Sequence, residues 1–179
     1  MTSKFNSSLA RHGGRGSRHG WNYPAFLYNR SLESLDGNHG REDAQRAFLL
    51  NAQAAESGMR DAVLAMGWFY LNGEGVEKDL EAAERWYKKS ARQGEPMAMF
   101  SLGVMGCDSQ DYSDALIWFK RAADKGHARS LFWIGKLFWR GHGVPLDKKK
   151  AMSFFQQAAS KKVPAAQRTL KFLSRNKRP

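Results

Sequence analysis

Apolar positions in this chain fall in helical steps, and the steps themselves recur. From Leu80 to Gln93, residues Ala83, Trp86, Tyr87, Ser90 and Ala91 lie three or four apart, which sets them on one face of a helix. The stretch before it, Ala62 to Asn72, is apolar around a small-residue notch at Gly67. Gly94 suits the left-handed position that ends a helix, and Pro96 suits the first turn of the next. The pattern predicts a helical hairpin in which Gly67 and Ala83 let two backbones come close.

The hairpin repeats. Gly58, Gly94 and Gly126 close the segments Ala-Ala-Glu-Ser-Gly, Ser-Ala-Arg-Gln-Gly and Ala-Ala-Asp-Lys-Gly. Nine residues after each comes Gly67, Gly103 or Gly135, and eleven before each comes Ala47, Ala83 or Ala115. A fourth copy continues with Ala151 and Ala158-Ala159, with Lys162 at the closing position, so the spacing runs 36, 32 and 36. Aromatic pairs keep the register at Trp86-Tyr87, Trp118-Phe119 and Phe154-Phe155. A lone hairpin would leave these rings wet, so neighbouring copies must stack, and both rings of each pair are expected in an inter-repeat core. Ala166, Leu170 and Leu173 give a last half-repeat an apolar stripe, with Arg168, Lys171 and Arg175 on its polar side.

The run Ala62-Val-Leu-Ala-Met-Gly67-Trp-Phe-Tyr70-Leu-Asn-Gly73-Glu-Gly75-Val76, continuing through Asp79 and Trp86-Tyr87 to Gly94, resembles a Sel-one-like repeat. The copy at 128–161 keeps Gly135, Gly141, Gly143, Val144 and Asp147, whereas the copy at 96–126 lacks Gly-x-Gly-Val and is four residues shorter. The copy at 23–58 keeps Gly37, Asp43, Ala47 and Gly58. These repeats are relatives of the tetratricopeptide repeats. The resemblance implies an all-α, right-handed α-solenoid of stacked antiparallel hairpins. The expected organisation is a basic tail over residues 1–22, a repeat domain over 23–175 and a basic tail over 176–179. Within the domain, the copies span 23–58, 59–95, 96–127 and 128–163, and a capping helix spans 164–175.

Composition narrows the function. The 179 residues are 42% hydrophobic and 12% aromatic, enough for one domain with its own core. The longest apolar run, Ala62 to Leu71, is about half of the roughly 20 residues a membrane span needs. With no apolar leader and a single cysteine, Cys107, the expected setting is a reducing, cytoplasmic one. The net charge of +12 is unevenly spread. Residues 1–20 hold four basic and no acidic residues, 21–125 hold 12 basic and 16 acidic, and 126–179 hold 13 basic with Asp147 alone opposing them. Such asymmetry points to an anionic partner.

Catalytic signatures are missing: there is no phosphate loop, HExxH, Gly-x-Ser-x-Gly or dinucleotide fingerprint. Cys107 has no histidine between it and Gly126, and is expected to be a packed thiol. His12 and His19 lie in the tail, while His39, His127 and His142 flank turns and are expected to be solvated. No enzyme, cofactor or metal site is expected. In tetratricopeptide-like repeats the first helices line a concave groove, so the resemblance implies a partner-binding surface. Its expected residues are Trp68, Asn72, Phe100, Arg129, Phe132, Lys136, Trp139, Arg140, Arg168, Phe172 and Arg175, with Leu64, Leu71, Val104, Cys107 and Asp108 completing the register. The expected partner is another protein that offers an acidic or carboxylate-bearing segment. The alternative is nucleic acid, held by its phosphates on the basic tail and the basic last third.

Overall fold

The computed structural model describes residue 29 and residues 41–175, which form helices joined by short turns with no strand among them. They fall into two compact units that divide after Ser90. The first unit contains α1 (Arg41–Glu56), α2 (Arg60–Asn72) and most of α3 (Leu80–Arg92). The second contains α4 (Pro96–Asp108), α5 (Tyr112–Asp124), α6 (Ala128–Arg140), α7 (Lys148–Ser160) and α8 (Pro164–Arg175). The repeating hairpins α2–α3, α4–α5 and α6–α7 are those of an α-solenoid. The tail histidines His12 and His19, together with Gly37 and His39, lie outside the described residues.

Each hairpin is closed by one joint. The notch glycine of the first helix receives a ring from the second. A β-carbon on Gly67, Gly103 or Gly135 would come within 2.6 Å of Tyr87, Phe119 or Phe155 respectively. These three rings are buried, whereas Trp86, Trp118 and Phe154 are only half-buried. The expected inter-repeat core holds for Trp86, packed on the buried cluster of α1 and α2, and for Phe119, on which Trp133 of the next hairpin stacks. The second ring of each pair also fills the joint within its own hairpin, and Phe154 stacks on Phe138 there, ring centres 5.8 Å apart. Trp118 alone lies along its helix flank, donating its indole N–H to Asp114 at 2.9 Å with Arg121 over its ring. In the first copy Asn51 stands where the ring stands elsewhere. It is buried and donates to the Ala62 carbonyl at 3.0 Å, tying α1 to α2.

Aspartates start the second helices. Asp79, Asp111 and Asp147 each accept a hydrogen bond from the backbone N–H three residues on, satisfying a donor the helix leaves open. The two Gly-x-Gly turns share one backbone. Gly73 and Gly141 end α2 and α6 in the left-handed conformation, at φ +70° and +69°. Two residues on, Gly75 lies against the backbone of Ala44 in α1, and Gly143 against that of Tyr112 in α5. Any β-carbon there would strike main chain, so the second glycine of each turn lets it press onto the helix preceding its own hairpin. Finally, α8 buries Ala166 against Ala158 and Val163, with Leu131 and Phe132 packed alongside.

Candidate protein-interaction surface

In the second unit, side chains of α4 and α6 meet around a group of rings. Phe100 of α4 lies 5.7 Å from Phe119, 6.4 Å from Trp133 and 4.5 Å from His127, measured between ring centres. Trp133 stacks on Phe119 at 5.5 Å. Cations cover the outside of this group. The Arg129 guanidinium sits 5.1 Å from the Phe100 ring centre, and the Lys136 ammonium 3.7 Å from that of Trp133. Such contacts let a cation shed part of its water while keeping a favourable electrostatic neighbour.

The charges here are under tension. Burial, and then the nearby Arg140, hold Lys136 below the ordinary lysine range, while Cys107 acts weakly in the opposite sense. Burial pushes the Cys107 thiol up, Lys136 pulls it down and Asp108 raises it. Cys107 is half-buried and protonated, as expected of a packed thiol. His127 departs from its expected solvated state. Its ring contacts Phe100 and its Nδ1 lies 2.9 Å from the Ser130 hydroxyl. Burial, then Arg129, lowers its pKa to about 4, so it is neutral at physiological pH. His142 likewise packs on Tyr112, ring centres 4.3 Å apart.

The expected surface residues are placed as follows. Arg129, Lys136 and Arg140 occur along α6, and Lys136 brings Cys107 and Arg140 into one electrostatic group. Phe132 and Trp139 lie on the side of α6 that faces α7, with ring centres 5.5 and 6.2 Å from Phe155. Trp139 is half-buried, with the Lys148 ammonium 5.6 Å from its ring centre. Arg168, Phe172 and Arg175 share an exposed face of α8, where Phe172 is 62% exposed. Trp68 and Asn72 belong to the first unit, where the Asn72 amide donates to the Trp68 carbonyl at 2.8 Å. Two positions are corrected. Phe100 is only 8% exposed and Leu64 only 3%, so both support the surface from beneath. Phe100 is buried because His127 and Arg129, at the start of α6, close over it. Trp133 was missed, although a Trp where the other copies carry Ala65 and Ser101 is itself a signal.

No carboxylate forms an ion pair with a cation of α6, α7 or α8 among the described residues; the pairs in α3 instead join Arg85 to Asp79 and Glu81, and Lys88 to Glu84. No group of three or more metal-ligating side chains occurs among the described residues, and no described helix is long and apolar enough to cross a membrane.

Residues 24–59, 60–95, 96–127 and 128–163 each match the family model described as the Sel1 repeat. The chain is 32% identical over 116 residues to the chitin synthase regulator SKT5 of Malassezia restricta, covering 61% of this chain and 8% of the relative. It is 29% identical over 133 residues to chitin synthase regulatory factor 3 of Schizosaccharomyces pombe, covering 70% of this chain and 14% of the relative. The chain thus spans less than a sixth of either curated relative. A crystal structure of a Sel1 repeat protein from Oxalobacter formigenes superposes with a TM-score of 0.74 at 28% identity, covering 82% of this chain and 61% of that one.

Proposed function

The chain belongs to the Sel1 repeat family, and on that premise we propose that it is a non-catalytic adaptor whose α4, α6 and α8 surface binds an acidic segment of a partner protein. Sel1 repeats serve as protein-interaction scaffolds. The fungal relatives are named as regulators of a synthase, which supports a regulatory role rather than a reaction of its own. The observation that carries the reading is a set of cations on α6 and α8 resting on rings or standing exposed, with no carboxylate among the described residues paired to them. Arginine offers a carboxylate two parallel donors, and a half-desolvated lysine beside another cation gains most from an arriving anion. Trp139 and Phe172 supply apolar contact of the kind enriched at binding hot spots.

Binding kinetics on an array of Asp- and Glu-rich peptides test this. Lys136→Glu with Arg140→Glu is expected to slow association, with the defect shrinking as salt rises. Trp139→Ala is expected instead to speed dissociation. Wild-type kinetics in both variants, with helical content intact, would move binding off this surface.

A further inference from the structure

The turn between α6 and α7 has a counterpart in the turn between α2 and α3, and the two share a backbone but not a surface. Gly141 and Gly143 adopt φ +69° and +67°, and Gly73 and Gly75 adopt +70° and +66°. The residue five after the capping glycine packs on it in both, Leu146 on Gly141 and Lys78 on Gly73. Along this common frame, residues 73–82 carry four carboxylates and one lysine, whereas residues 141–150 carry Asp147 and three lysines. Glu77 and Lys78 are replaced by Pro145 and Leu146, and Leu80, Glu81 and Ala82 by Lys148, Lys149 and Lys150. The one carboxylate left at the second tip accepts from the Lys150 backbone N–H at 2.8 Å, so its charge is engaged in capping α7.

We propose that this tip, Pro145 to Lys150, docks end-on against an anionic phospholipid surface. Its shape favours a plane of charge over a single anion. Consecutive residues in the first turn of a helix point about 100° apart, so Lys148, Lys149 and Lys150 fan around the end of α7 and do not converge on one point. Lys148 and Lys150 lean back over the rings of Trp139 and Phe138, at 5.6 and 4.6 Å, which spreads the fan to either side. All three lysines are exposed. Leu146, an apolar residue left 60% exposed, precedes them and can enter the headgroup layer. The α7 N-terminus adds the positive end of its dipole. Lysines are point charges suited to a diffuse anionic field, whereas a dedicated peptide carboxylate favours the arginine fork.

The experiment is co-sedimentation of the full chain with phosphatidylcholine vesicles, with and without phosphatidylserine as the minority lipid. Wild type is expected to bind only the phosphatidylserine vesicles. One lysine near such a surface raises partitioning about fivefold, so the Lys148→Gln, Lys149→Gln, Lys150→Gln triple variant is expected to lose about a hundredfold. Leu146→Ser is expected to weaken binding about tenfold at unchanged charge. The charge-matched triple Lys120→Gln, Lys125→Gln, Lys161→Gln, at exposed sites elsewhere in the same unit, is expected to change it far less. Circular dichroism confirms that every variant stays helical. Three results would overturn the proposal: no vesicle binding, equal losses in the two triple variants, or indifference to Leu146→Ser. A loss of binding to soluble polyglutamate or to nucleic acid in the Lys148→Gln, Lys149→Gln, Lys150→Gln variant as large as its loss on vesicles would overturn it in favour of those polyanions. None of these variants replaces Lys136, Trp139 or Arg140, and Leu146→Ser also leaves the Lys148 contact with the Trp139 ring in place, so failure here leaves the peptide-binding reading standing, and the reverse also holds.

Discussion

Lys162 takes the backbone conformation that glycine takes at the matching place in the other copies, φ +60° against +82°, +86° and +89° at Gly58, Gly94 and Gly126. A side chain in that region crowds its own carbonyl, at a cost of roughly 1 kcal/mol. Lys162→Gly is therefore expected to raise stability by about 1 kcal/mol, read as a higher urea midpoint at unchanged slope. The notch glycines demand the opposite. Gly135→Ala pushes a methyl into the Phe155 ring and the Ala151 carbonyl, which is expected to cost about 1–3 kcal/mol in the same assay. His127 makes stability depend on pH. Its folded pKa, about 4, lies below the ordinary 6.5, so the unfolded chain binds the proton more readily. The contribution is complete above pH 6.5 and is lost as pH falls from there toward about 4. Melting temperature measured across that window should fall more steeply for wild type than for His127→Gln.

At the scale of helices, α8 shields what α7 leaves open. Ala158, Val163 and Phe132 pack against it, so a chain truncated after Val163 is expected to expose them and aggregate, as light scattering would show. The hairpins were legible in the sequence because a notch glycine, a ring and a closing glycine recur at fixed distances, and local geometry dictates all three. The surface was less legible. Distance from Gly103 gives the direction in which Phe100 points but not its depth, which His127 and Arg129 decide from another helix. Trp133 escaped notice for a related reason. Its place in the register is small in other copies, and only the packing of α4, α5 and α6 shows it carrying Lys136. The aromatic pairs announced the stacking, but a helical period cannot say which of two adjacent rings enters the joint.

Across the whole chain, charge is distributed by sequence region: 13 basic residues face one carboxylate over residues 126–179, against a mildly acidic stretch before them. Association with any acidic partner should therefore slow steeply as salt rises, while dissociation changes little, a split that stopped-flow measurements at two ionic strengths would reveal. The joint between notch and ring has a different consequence, one for construction. It is a coupling of two residues, Gly67 with Tyr87, Gly103 with Phe119 and Gly135 with Phe155, indifferent to the hydroxyl that tells Tyr from Phe. A coupling so local is portable. In α8 the matching place is held by the exposed Lys171, where the other copies have the notch glycine. Lys171→Gly, with a Gly-x-Gly turn and a copy of α7 grafted after Arg175, should let α8 accept a partner and become the first half of a new module. A cooperative unfolding transition with a larger denaturant slope would report that the added piece had joined the stack, and the protein could then be lengthened one interchangeable part at a time.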